Sequence, residues 1–143
     1  MVVNDIHAHA IFKETLNSIK GLGPEIGGQK DNPWFRVGDY KLEGVKYENT
    51  PFMDINLRLD AMESLGIDYQ DISPNPITYF HFIDPNEAIS YCKLHNDIMA
   101  NSISDHRNHL GGFATLPMQE PHTASKELEN SVTEFGFHVA YRG

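Results

Sequence analysis

Two histidines one residue apart, in the stretch Asp5-Ile6-His7-Ala8-His9, are the side chains best suited to chemistry in this 143-residue chain. Residues i and i+2 of a strand share a face, so a strand over 2–8 turns the two imidazoles toward one point. Two convergent imidazoles form a metal-ligand pair, and zinc is the ion this donor type favours. Asp5 is placed to accept an imidazole N–H and fix a ring from behind. A bare His-x-His also arises by chance on solvated strands, but here it adjoins Val2, Val3 and Ile6.

The remaining candidates read more plainly. His106 and His109 are three apart at a helix end, where a solvated terminus explains them. His81 is a lone histidine in a loop, and His95 sits on a helix where packing or hydrogen bonding is its expected work. Cys92 lies on an apolar helical stripe as a core thiol with no partner for a disulfide, and no G-x-S-x-G elbow marks a nucleophile.

Positioning the pair requires a scaffold, and the chain has a regular one. Asp54 as N-cap, Ile55, Leu59 and Met62 as an apolar stripe, and Gly66 as terminator define a helix. A strand at 67–73 follows, broken by Ser73-Pro74-Asn75-Pro76. Asp84-Pro85-Asn86-Glu87 opens a second helix, with Ile89, Cys92, Met99 and Ile103 on one face, ending near Arg107. A strand at 111–116 leads to a helix from Pro121 to Gly136, with Ala124, Leu128, Val132 and Phe135 inward. The last strand is Phe137–Tyr141. Strand–helix alternation without hairpin signals predicts a parallel sheet with right-handed crossovers. Four strands are too few for an eight-stranded barrel, so the expectation is the first half of one, truncated at residue 143.

Residues 11–52 interrupt this rhythm. Five aromatics, Trp34, Phe35, Tyr40, Tyr47 and Phe52, argue for a folded insertion, with a short helix at 13–20 and a hairpin at 35–47. Its glycines follow a helix-like run and lack the G-x-G-x-x-G spacing of a dinucleotide loop.

Composition narrows the partners. Twenty acidic against eleven basic residues, a net charge of −9, leave no basic footprint for nucleic acid or an anionic membrane. The start of the chain lacks a signal-peptide pattern and its apolar runs are too short to span a bilayer, so the expected location is cytoplasmic.

Taken together, Asp5-Ile6-His7-Ala8-His9, Trp34-Phe35-Arg36-Val37, Arg58-Leu59-x-x-Met62, Gly66-Ile67-Asp68-x-Gln70, His95-Asn96-Asp97 and Gly112-Phe113-Ala114-Thr115-Leu116-Pro117-Met118-Gln119 carry a resemblance. The chain resembles the amidohydrolase-related metal-dependent enzymes, closest to the α-amino-β-carboxymuconate-ε-semialdehyde decarboxylase group, over essentially its whole length. The resemblance implies an α/β fold of the (β/α)8 TIM-barrel type, here about the first four β/α units. It also implies one divalent metal, usually zinc, held in part by His7 and His9, and a homodimer at full length. It implies water addition to a conjugated carbon followed by decarboxylation, or hydrolysis in other members.

Carried over by position, Arg36 matches an arginine that binds a substrate carboxylate, for which its guanidinium fork is suited. A salt bridge to the surrounding acidic residues is its plain alternative. Trp34 and Phe80 are candidate pocket walls, and the remaining ligands and the catalytic groups are expected beyond residue 143. The rival readings are a lactone or cyclic-amide hydrolase of the same superfamily and a non-catalytic truncated binding protein. Two positions depart from the family pattern: Asp71 stands inside a strand where an aliphatic residue is usual, and Phe137-His138-Val139-Ala140-Tyr141 replaces a glycine-led strand.

Overall fold

The computed structural model describes residues 1–140. Along the chain it runs β1 (Asn4–Ala10), β2 (Glu25–Gln29), β3 (Asn32–Val37), β4 (Tyr40–Glu43), α1 (Ile55–Leu65), β5 (Tyr69–Pro74), α2 (Pro85–Ile103), β6 (Leu110–Ala114), α3 (Pro121–Thr133) and β7 (Val139–Ala140). The parallel sheet has the order β1-β5-β6-β7, each step a strand–helix–strand crossover except the first, which also carries the insertion. No helix of the described residues is long and apolar enough to cross a membrane.

Local chemistry sets the helix boundaries. The Asp54 carboxylate accepts the N–H groups of Asn56 and Leu57, and Gly66 closes α1 in a left-handed conformation with φ 69°. Asp84 accepts from the N–H of Asn86, with Pro85 in the first turn of α2. The buried face of α2 includes Cys92, Met99 and Ile103 as expected, while Ile89 is half-buried and Tyr91 and His95 are inside. In α3 the expectation for Val132 fails: Val132 is exposed and Ser131 is buried. Counting from Ala124, seven residues bring the helix back almost to the same azimuth, which selects position 131.

These helices cover one face of the sheet with a core of Met62, Ile72, Met99, Ile103, Leu110 and Phe137. β1 begins two residues later than expected, because Val2 and Val3 are exposed and precede the strand. β7 begins at Val139, two residues later than expected, with Phe137 packing in the core ahead of it; Tyr141 lies outside the described residues.

The insertion differs most from its sequence reading. The helix expected at 13–20 is a single 3-10 turn, Lys13–Thr15, and the hairpin expected at 35–47 is a three-stranded antiparallel sheet beginning at Glu25. Gly27 is a strand residue, and a side chain there would collide with the Trp34 ring from β3. Phe35 and Val37 form a second core with Ile11, Ile19, Phe80 and Tyr91, which seats the insertion against α2.

The two departures from the family pattern meet each other. Asp71 on β5 lies 2.9 Å from His138 Nδ1, within ion-pair distance when the imidazole is protonated. Between their strands lies β6, with Gly111 opposite Asp71 in register, and a Cβ at Gly111 would collide with the Asp71 carboxylate and the Tyr69 hydroxyl. The Tyr69 and His138 rings stack at 5.9 Å between centroids. Burial pushes the Asp71 pKa up, and His138 opposes that rise.

Candidate metal centre

β1 pairs with β5 in parallel, but its register shifts between Asp5 and Ala8: Asp5 stands opposite Gln70, and Ala8 opposite Ile72. This irregularity is a bulge, a device that re-aims side chains. Beyond it His9 stands opposite Ser73 near the carboxyl end of β5, the end of a parallel sheet where sites form in barrels.

The structure brings the two imidazoles together on one side of the strand. His7 Nε2 and His9 Nε2 lie 3.1 Å apart, with the rings nearly perpendicular at 85°. A tetrahedral zinc with bonds of about 2.0–2.1 Å would separate two ligand nitrogens by about 3.3 Å, so the spacing fits one shared cation. Among the described residues, no group of three or more His, Cys, Asp or Glu is placed to hold a metal.

The back of His9 is tied down. Its Nδ1 lies 3.0 Å from the Pro74 carbonyl and 2.7 Å from Ser73 Oγ, while Ser73 Oγ donates to the Ala8 carbonyl. A carbonyl only accepts, so Nδ1 carries the proton and Nε2 presents its lone pair. Burial lowers the His9 pKa; the bond to Pro74 opposes this, and the charges of His7 and Arg58 add to the lowering. The ring is therefore kept in the neutral form that binds metal.

Asp5 holds the segment through backbone and side chain: its Oδ1 accepts the backbone N–H of His7 at 3.0 Å, and its Oδ2 accepts from Gln70 Nε2 at 2.7 Å. Gln70, Arg58 and Ser73, all buried around the pair, were not singled out as site residues from the sequence. Arg58 and Gln70 stood only as letters in motifs, and the clue available was an arginine on the otherwise apolar face of α1.

The other expected site residues lie in separate neighbourhoods. Arg36 on β3 forms an ion pair with Glu25 at 2.6 Å, and its Nη1 donates to the Gly38 carbonyl at 2.8 Å. Trp34 packs over Gly27 and carries Lys41 Nζ 5.2 Å from its ring centroid. Phe80, buried at φ 51°, accepts from Gln119 Nε2 through its carbonyl and lines a 520 Å³ cavity with Val37, Gly38, Tyr40, Tyr79 and His81. Neither histidine of the pair lines that cavity.

The lesser candidates follow their plain readings. His95 is buried against Phe12, and His109 Nδ1 meets the Asp68 carbonyl at an exposed corner. Cys92 is buried, which pushes its thiol up to about 12 and keeps it protonated.

No family model matches the chain. The chain is 29% identical over 133 residues to the gamma-resorcylate decarboxylase of Polaromonas sp., covering 92% of itself and 36% of that protein. It is 25% identical over 134 residues to the 2-amino-3-carboxymuconate-6-semialdehyde decarboxylase of Dictyostelium discoideum, covering 92% of itself and 37% of that protein. Among solved structures it matches a dihydroxybenzoic acid decarboxylase from Polaromonas sp. JS666, with bound manganese and the inhibitor 2-nitroresorcinol. That match has a TM-score of 0.71 and 27% identity, over 98% of this chain and 38% of that one. The chain thus spans about a third of the length of the curated relatives it matches.

Proposed function

This chain is homologous to the amidohydrolase-related decarboxylases and has the β/α architecture of their barrel, and from that premise we propose that it contributes to a divalent-metal-dependent carboxy-lyase acting on a small aromatic or conjugated carboxylate. The observation that carries this reading is the 3.1 Å approach of the His7 and His9 Nε2 atoms at the end of β1. The relatives named above are decarboxylases, which favours the lyase over the hydrolase.

His7 and His9 serve as two ligands. A bound cation there supplies Lewis acidity toward the substrate's oxygens. Zinc is the ion expected from imidazole donors, and manganese is what the matched structure holds. The Phe80 cavity is the proposed seat for an aromatic ring, since tyrosine and phenylalanine side chains wall it. Trp34 and Arg36 share one face of β3, and Arg36 touches the cavity rim through Gly38. Arg36 reaches a substrate carboxylate in this reading by exchanging it for Glu25.

The test is calorimetric titration of manganese and of zinc, then of γ-resorcylate, into the chain and its His7→Ala and His9→Ala variants, with CO2 release followed in parallel. The expected result is cation binding that each variant abolishes, and γ-resorcylate binding only when metal is present. Catalytic zinc sites generally use three protein ligands, so a two-imidazole site is expected to give no turnover. Cation binding unchanged in both variants would overturn the assignment.

A further inference from the structure

Behind the imidazole pair, side chains from three elements close a ring of hydrogen bonds around the segment His7-Ala8-His9. The His7 backbone N–H donates to Asp5 Oδ1 at 3.0 Å, and Asp5 Oδ2 accepts from Gln70 Nε2 at 2.7 Å. Gln70 Oε1 accepts from Arg58 Nη1 at 2.6 Å, and Arg58 Nη2 donates to the His9 carbonyl at 2.6 Å. The circuit therefore begins on the backbone of one histidine and ends on the backbone of the other. We infer that Arg58, Gln70 and Asp5 are positioning residues, a clasp that sets the angle between the two metal-facing imidazoles; this rests on the metal reading above.

The chemistry of each member fits that task. The bulge takes His7 out of regular register with β5, and a carboxylate two residues back accepts its N–H. Gln70 is 7% exposed, and its amide has both polarities needed: a donor toward Asp5 and an acceptor toward Arg58. Arg58, 5% exposed on α1, reaches two acceptors at once with a planar fork, which a lysine ammonium does not reproduce. Its pKa, lowered by burial to about 10 against the charge of Asp5, leaves it a cation at neutral pH. Fixing both backbone ends of a three-residue segment restricts its dihedrals, and these dihedrals aim the rings.

A purely structural network would hold the fold together without affecting the pair in particular, and the test separates the two. Gln70→Glu keeps an acceptor for Arg58 but removes the donor to Asp5, and Arg58→Lys keeps the charge but removes the fork. Met99→Ala, deep in the helix–sheet core, serves as a destabilised control. The probe is Cu2+, the divalent ion that imidazole binds most strongly, measured by calorimetry and electron paramagnetic resonance on the full chain, with melting temperatures recorded. The expected result is Cu2+ binding about ten- to a hundredfold weaker in folded Gln70→Glu and Arg58→Lys, and unchanged in Met99→Ala despite its lower melting temperature. Wild-type affinity in both clasp variants, or an equal loss in Met99→Ala, would overturn the inference. If His9→Ala binds Cu2+ as well as the wild type, the metal reading fails on its own. The clasp is then decided by nuclear Overhauser contacts between the His7 and His9 rings in metal-free protein: their loss in Gln70→Glu supports it and their retention overturns it.

Discussion

Lowering the pH should destabilise this protein through one histidine that takes no part in the metal pair. His95 lies on α2 at 1% exposure, edge-on to Phe12 at 5.2 Å between ring centroids, and its Nδ1 has no hydrogen-bond partner. Burial lowers its pKa from 6.5 to about 4. In the unfolded chain the ring regains its ordinary value, so as pH falls the unfolded state takes up the proton first. The stability is therefore fully present above 6.5 and is lost as pH falls toward 4. At about 1.4 kcal/mol per pH unit the whole gap corresponds to about 3 kcal/mol, of which about 2 kcal/mol is gone by pH 5. Urea unfolding of the wild type and of His95→Leu at pH 8 and pH 5 isolates this amount, because the other carboxylates and histidines are common to both proteins. His9, whose pKa is also lowered by burial, adds a loss of the same sign to both. The wild type should lose about 2 kcal/mol more than His95→Leu between the two pH values. Equal losses would refute the reasoning, since the buried ring would then not be neutral at the cost described.

Two further outcomes follow from the described contacts. Gly111→Ala should destabilise by about 1–3 kcal/mol through overpacking against Asp71 and Tyr69, and Asp71→Ala in the same chain should recover part of it; a strictly additive double-mutant cycle would show that the collision is not the cause. Arg36→Ala should lower stability by about 1 kcal/mol or less, as for a partly exposed ion pair. The same change should weaken γ-resorcylate binding by the metal-loaded protein by a larger free energy, and unaltered binding would remove Arg36 from the proposed site.

What the sequence disclosed was set by local chemistry. Asp54, Gly66, Asp84 and Pro85 act within a few residues of themselves, so the helices between them were legible. His7 and His9 were legible because a period of two needs no knowledge of the rest of the chain. The three-stranded insertion was hidden because Gly27 reads as a breaker until the Trp34 ring that occupies its missing side chain is in view. Arg58 and Gln70 were hidden for a related reason: their partners on β1 are distant in sequence, and a charged residue on a helix reads as solvated by default. Ser73 likewise looked like the start of a turn, when it is a strand residue whose hydroxyl lies 2.7 Å from His9 Nδ1.

The pairing of Asp71 with His138 across Gly111 makes the residue tolerated at each position depend on the other two. A carboxylate at 71 introduced while 111 carried a methyl group would have met that group in the fold, and a histidine at 138 alone would have had no acid to face. The missing side chain at 111 is thus the condition on which the approach of the acid and the base depends. A lineage that restored alanine at 111 would find both partners turned from an asset into a burden. These three positions thus act as one structural unit, although no two of them are neighbours in the chain.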